Sequence, residues 1–365
     1  MYFRLKRLEQ GWNRLFIRLL GRLLSSGPSQ NPGWGARPHR VLYLRYDKIG
    51  DMIVSTSLIN AIAQSHQTIT LDVLASPSNA PVLEGNPYVS SVIVWDKARP
   101  SGYARLIRQL RRARYDAVVD CMVLSPSTTT LLLMLATNAP HRIGIGGRIN
   151  DYALTLRVPP ATSATHHIDH SAVLATAFGV DLSEVDWQPQ IYLQERERSD
   201  AEATWDGATR EIAERARRIL VNVSAGRPTR RWPDERFVQL LRHLRSTMPD
   251  SNVLVISSPV ESDRAIQIAA EGGARYAPTK NLRNALGLVA TTDILVTPDT
   301  SIAHAASAFA TPAVILFEQG KEVLWGRYGI PGRDVVNEGE TLATLPLEPV
   351  IEAVDALLEM SLSTR

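Results

Sequence analysis

Asp299, Thr300 and Ser301 stand in a row, with His304 one helical turn further on. The residues before them (Asp293–Thr297, DILVT) predict a buried strand, and those after (about Ile302–Ala310) a short Ala-rich helix, with a second strand opened by Pro312. A strand that runs directly into a helix leaves the first backbone N–H groups unpaired beyond the carboxyl end of the sheet. With the helix dipole and two small hydroxyls, such a start is a receptor for a phosphate; the same residues also serve as a plain helix cap.

Three more stretches lie at predicted strand ends. In Arg45-Tyr46-Asp47-Lys48-Ile49-Gly50-Asp51, Gly50 would let the chain turn sharply. Asp51 then falls in the first helical turn, either as an acid favoured by the dipole or as a carboxylate held ready as a general base. From Asn222 to Pro233 (NVSAGRPTRRWP) a strand opens into a small-residue loop bearing Arg227, Arg230 and Arg231. Their guanidinium groups suit phosphate oxygens, or simply make a solvated basic loop. In Ser257-Ser258-Pro259-Val260-Glu261, Glu261 could accept hydrogen bonds from a ribose or start a helix. Ser224 belongs to the same loop edge.

Other features carry less. The run Gly144–Gly147 (GIGG) lacks the strand-then-helix setting of a dinucleotide fingerprint. His166, His167 and His170 cluster with only Asp169 at ligand-like spacing, so no metal site is expected. The single cysteine, Cys121, excludes an intramolecular disulfide framework and ends an apolar strand pattern, as a buried small residue would.

The elements that must hold these residues alternate. Strands are predicted at 41–46, 69–74, 91–95 and 116–121, with helices starting at 49 and at 103–113 and 127–136, and a helix or loop near 78–84. A loop-rich stretch follows, then a helix near His170–Phe178. Asp181–Leu193 reads as a crossing, and after a helix over 195–217 the alternation restarts. Strands follow at 219–224, 252–257 and 275–277, and helices at 234–247, 261–271, 282–291 and 347–360. Alternation of this kind predicts parallel sheets covered on both faces. At 365 residues and 44% apolar content the chain can fill two cores. The expected architecture is α/β: two Rossmann-like, doubly wound domains facing across a cleft, at 39–190 and 191–365, preceded by 1–38 as a basic amphipathic helix and Gly/Pro linker.

The net charge of +3 is unevenly spread: residues 1–24 hold +5, leaving −2 for the rest. A near-neutral body argues against nucleic acid as a partner. In 1–24, Leu5, Leu8, Trp12, Leu15, Leu19 and Leu23 keep helical spacing while Arg14, Arg18 and Arg22 break every apolar run. That excludes a spanning helix and a secretory signal. The segment would lie on an anionic membrane surface, or pack on protein. The arginines of the 103–114 helix read as a solvated face.

Taken together, RYDKIGDMIVSTSLINAI from Arg45, NPYVSSVIVWD from Asn86, RYDAVVD from Arg114, RIG from Arg142, VNVSAGRPTRRWPDERFVQLLRHL from Val221 and DILVTPDTSIAHAASAFATPAVILF from Asp293 resemble glycosyltransferase family 9, the ADP-heptose:lipopolysaccharide heptosyltransferases. The resemblance spans about Val41 to Gly329 and implies a GT-B type fold and a metal-independent, inverting transfer. It implies Asp51 as base, with Lys48 and Gly50 on the acceptor side, and Arg230, Thr300 and Ser301 on the donor diphosphate. It further implies Asp299, His304, Glu261 and Ser224 around the donor sugar and nucleotide. Three departures stand out: Arg230 replaces the usual Lys, Ser301 replaces the Gly of Asp-Thr-Gly, and Phe317-Glu318-Gln319-Gly320 replaces Phe-Gly-Pro-Thr. The implied reaction needs no cofactor beyond the donor, ADP-heptose or another nucleotide sugar, and its acceptor is a lipid-linked or surface glycan. The implied place is cytoplasmic, peripheral to the inner membrane through residues 1–24. Other readings are a same-fold transferase using another nucleotide sugar, and a non-catalytic member that binds nucleotide sugar or glycan.

Overall fold

The computed structural model describes Gly27 and residues 32–99, 101–124, 127–206 and 216–362. The amphipathic pattern of residues 1–24 lies outside the described residues. The chain divides into two compact units, Met1–Trp187 and Gln188–Arg365.

The first unit runs β1 (His39–Leu44), α1 (Ile49–Ser65), β2 (Ile69–Ala75), β3 (Ser91–Val94), α2 (Gly102–Ala113), β4 (Ala117–Asp120), α3 (Thr128–Thr137), β5 (His141–Ile145), β6 (Leu156–Val158) and α4 (His167–Ala172). The second runs α5 (Glu195–Asp206), β7 (Arg218–Asn222), α6 (Asp234–Thr247), β8 (Asn252–Ile256), α7 (Ser262–Gly272), β9 (Arg275–Tyr276), α8 (Leu282–Ala290), β10 (Ile294–Pro298), α9 (Ser301–Ala308), β11 (Ala313–Glu318), α10 (Glu322–Trp325), β12 (Gly332–Asn337) and α11 (Glu348–Leu362).

Among the described residues each unit has one six-stranded sheet, with strand orders β3-β2-β1-β4-β5-β6 and β12-β11-β10-β7-β8-β9. Every pairing is parallel. Counted from its own first strand, each sheet has the order 3-2-1-4-5-6. The direction of winding reverses between the first and fourth strands, β1/β4 in one sheet and β7/β10 in the other. Crevices beyond the carboxyl ends of strands at such a reversal are where doubly wound sheets take ligands.

The centres of β1 (Val41–Leu44), β7 (Ile219–Val221) and β10 (Ile294–Val296) are apolar runs because parallel strands covered by helices are buried on both faces. Helix α1 is buried all round from Met52 to Ile62, enclosed by the sheet, by α4 and by a 3-10 segment at Val173–Phe178. In the second unit, Trp232 is fully buried and packs edge-on against Phe237 at 4.8 Å; its indole N–H donates to Leu345 O at 2.9 Å. That anchor fixes the loop leaving β7.

Several expectations are corrected. The loop-rich stretch after α3 contains β5 and β6, short strands whose apolar pattern is broken by His141, Arg142 and Arg157. The helix expected near His170–Phe178 starts at His167 and becomes a 3-10 helix at Val173. The helix expected over 195–217 extends to Asp206; 207–215 lie outside the described residues, and Arg217 precedes β7 without helical structure. Neither β12 nor α10 was expected. The Gly/Pro stretch 25–38 does not stay free throughout: Trp34 is buried, stacked on Phe178 at 4.6 Å, and donates to Ala177 O at 2.8 Å. No helix among the described residues is long and apolar enough to cross a membrane.

Candidate active site

In the first unit the loop from β1 to α1 is built around Arg45, which is fully buried. Its Nε donates to Ser55 Oγ at 2.9 Å and its Nη1 to Asp47 Oδ2 at 3.1 Å, and Nη1 also lies 3.9 Å from Asp51 Oδ1. Ser55 in turn donates to Asp51 O at 2.7 Å, and buried Asn79 donates to Arg45 O at 3.1 Å and to Lys48 O at 3.4 Å. These bonds hold the loop in one conformation, with Asp51 in the first turn of α1 and its side chain 15% exposed. Burial pushes the Asp51 carboxyl above the ordinary aspartate range, and the neighbouring Asp47 pushes it the same way, against Arg45 and Lys48. A carboxylate whose proton affinity is raised and which still reaches solvent suits a base.

Gly50 does not make the sharp turn expected of it. It is the second residue of α1 and has no positive φ; the turn is made by Lys48, extended at φ −99° and ψ 162° and exposed at the helix start.

Asp120, which sequence reasoning left out of the site, ends β4 directly beside β1, in register with Leu44. Burial pushes its carboxyl up, against a 2.9 Å hydrogen bond from Met122 N and the charges of Arg45 and Arg148. Asn150 also donates to it at 3.3 Å. Cys121 is buried next to it with its thiol pushed far up by burial, donating to Leu44 O, so no thiolate is present to act as a nucleophile.

In the second unit, Asn222 at the end of β7 ties the two central strands together: its Nδ2 donates to Thr297 Oγ1 at 2.9 Å and to Thr300 Oγ1 at 3.2 Å. Thr300 is the N-cap of α9 and accepts from Ile302 N at 3.3 Å. Ser301 opens the helix with no positive φ, so the serine sits where the resemblance expects glycine without backbone strain. His304 is buried on α9, its ring 5.8 Å from that of Trp325.

Arg230, expected on a loop in solvent or on phosphate, is only 15% exposed and spans three acceptors. Nη2 lies 2.9 Å from Asp299 Oδ2, Nη1 donates to Asp299 O at 2.9 Å, and Nε lies 3.5 Å from Glu318 Oε2. Glu318, at the end of β11, stands in the sequence only as a departure from the family segment; its contact with Arg230 has no signal there.

Glu261 is a fastener for the β7 loop. Its Oε2 accepts from Ala225 N at 3.3 Å and Ser258 Oγ at 3.0 Å, and its Oε1 from Arg231 at 3.1 Å and Arg264 at 3.5 Å. Ser224 Oγ accepts from Ser258 N, completing the link between the ends of β7 and β8. The expected residues therefore form three groups: Lys48, Gly50 and Asp51 after β1; Arg230, Asp299, Thr300, Ser301 and His304 after β7 and β10; and Ser224 with Glu261 after β7 and β8. Among the described residues no three His, Cys, Asp or Glu stand together as a metal-holding group.

Residues 103–344 match the profile of a family described as glycosyltransferase family 9 (heptosyltransferase). The chain is 23% identical over 349 residues to lipopolysaccharide heptosyltransferase 3 of Escherichia coli, covering 86% of this chain and 97% of that one. In structure it resembles a glycosyl transferase family 9 protein of Veillonella parvula (TM-score 0.76, 18% identity, 89% of this chain and 99% of that one). It also resembles the E. coli ADP-heptose lipopolysaccharide heptosyltransferase II (TM-score 0.69, 22% identity, 88% and 99%).

Proposed function

The chain belongs to glycosyltransferase family 9, and on that premise we propose that it moves a heptose from ADP-heptose to a lipopolysaccharide core or related surface-glycan acceptor. The observation that carries the reading is the placement of the candidate groups. Asp51, with its raised carboxyl, follows the first strand of one switch point, while Arg230 and the start of α9 follow the two strands of the other.

In the proposed reaction, Asp51 takes the proton of the acceptor hydroxyl as that oxygen attacks the anomeric carbon. The bond from that carbon to the diphosphate breaks, and ADP leaves with the electron pair. One displacement inverts the anomeric centre. The leaving diphosphate is an anion of low basicity, so charge stabilisation by the first N–H groups of α9 and by Arg230 replaces proton donation. We assign the same task no metal ion. The acceptor is lipid-borne, and residues 1–24 place the enzyme on the anionic leaflet from the cytoplasmic side.

One observation favours a second reading. Glu318 puts a carboxylate against Arg230, where the family segment has glycine, and this departure in the diphosphate's surroundings motivates a second reading, another nucleotide sugar on the same fold.

Thermal shifts with ADP, UDP, GDP and CMP separate the two, because a ligand that binds only the folded state raises Tm. A selective shift with ADP supports heptose transfer; a selective shift with UDP or GDP moves the donor to the second reading.

A further inference from the structure

The outer helical layer of the first unit has a charge distribution that the proposed chemistry does not use. From Lys97 to Tyr115 the sequence has seven basic residues and no acid. Helix α2 turns Leu106 and Leu110 inward, and leaves Arg105, Arg108, Arg111 and Arg112 on the solvent side with Arg114 at its left-handed C-cap. None of the five pairs with a carboxylate among the described residues. Arg108, Arg111, Arg112 and Arg114 line a shallow groove of about 660 Å³ along the helix.

Helix α3 packs beside α2, linked by Arg111 Nε donating to Ala136 O at 3.2 Å. It has no charged residue, and its Leu132 is 44% exposed. Like charges on one face repel one another, and an anionic surface laid against them relieves that repulsion. Leu132, on the neighbouring helix, adds an exposed apolar side chain to the same layer. The two together match a surface that is anionic at its headgroups and apolar just beneath.

We propose that the solvent face of α2 and α3 is a docking surface for the anionic headgroups of a lipid leaflet, with the arginines on phosphates and exposed Leu132 as its apolar contact. It is distinct from the N-terminal segment, and it gives the lipid-borne acceptor proposed above a reason to be met at the membrane. Exposed arginines act through charge that sums over the face, so the interaction is salt-dependent.

The test is sedimentation of the full chain, with Arg14, Arg18 and Arg22 replaced by Gln in every protein compared so that residues 1–24 do not mask the effect, with vesicles of phosphatidylcholine, with and without phosphatidylglycerol. The chain with α2 unchanged binds only the anionic vesicles. The variant Arg105→Gln/Arg108→Gln/Arg112→Gln binds them on the order of 100-fold more weakly, and the corresponding triple Lys variant keeps binding. Circular dichroism melts confirm that both variants fold. Equal vesicle binding by the chain with α2 unchanged and the Gln variant, or no anionic preference in the former, overturns the proposal. So does binding to a soluble acidic polymer without binding to vesicles, which assigns the face to a soluble partner. The proposal rests on the transfer reading only for its purpose. Turnover of both variants on a short delipidated acceptor reports on that reading separately, and is unchanged whatever the vesicles show.

Discussion

Arg230 holds Asp299 at two points: Nη2 is 2.9 Å from the carboxylate and Nη1 donates to the backbone carbonyl at 2.9 Å. The guanidinium therefore clamps the turn between β10 and α9, the turn whose N–H groups are the proposed anion receptor. A lysine could not make both contacts in one plane, and this gives the arginine a purpose. The clamp also leaves Arg230 with two nearby carboxylates, Asp299 and Glu318, so its surroundings are net negative before any diphosphate arrives.

Glu318 should oppose donor binding. A unit charge at about 4 Å is worth ~1 kcal/mol under the screening of bulk water and ~4 kcal/mol near a protein surface. Glu318→Gln should tighten ADP binding roughly 10-fold by calorimetry. Weaker binding would mean that Glu318 holds the ligand instead of competing with it.

Arg230 should matter for the fold as well as the ligand. Arg230→Ala takes the guanidinium away from Asp299 and Glu318, whose side chains are 4% and 9% exposed. Breaking a buried pair in this way costs ~3–5 kcal/mol, so urea melts should show a large loss. Arg230→Lys should recover much of it, and a stable Arg230→Ala protein would refute the clamp.

The pH dependence of turnover should carry the Asp51 environment. A protonated Asp51 cannot accept a proton, so kcat should fall as pH drops through its raised pKa, on an acid limb above the ordinary aspartate range. Asp47→Asn removes a repulsion that raises this pKa, so the limb should move to lower pH. A limb that stays put would detach Asp47 from Asp51.

Trp34 should behave as a core residue. Trp34→Ala removes its stack on Phe178 and its bond to Ala177, and large aromatic truncations cost ~3–5 kcal/mol. An unchanged Tm would return the segment to the role of a linker.

The alternation of strands and helices was legible, and so was α6, whose start is marked by Pro233 and two acids and whose apolar residues keep helical period. Strands β5, β6 and β12 were not, because they interleave polar residues such as Arg142, Arg157 and Asp334 with apolar ones. The strand orders were out of reach, and with them Asp120: only β4 lying beside β1 brings that acid near Arg45. Gly50 misled because a glycine near a strand end suggests a turn, whereas extended Lys48 makes it. Glu318 lies 88 residues from Arg230, and no local pattern announces such a contact.

The central claim is tested most directly by following ADP release from ADP-heptose on a heptose-deficient lipopolysaccharide core, with wild type and Asp51→Asn side by side. The account predicts turnover by the wild type, and a fall of ~10²–10⁴-fold in the variant while ADP binding persists. Near-normal turnover by Asp51→Asn, or none by the wild type, would contradict it.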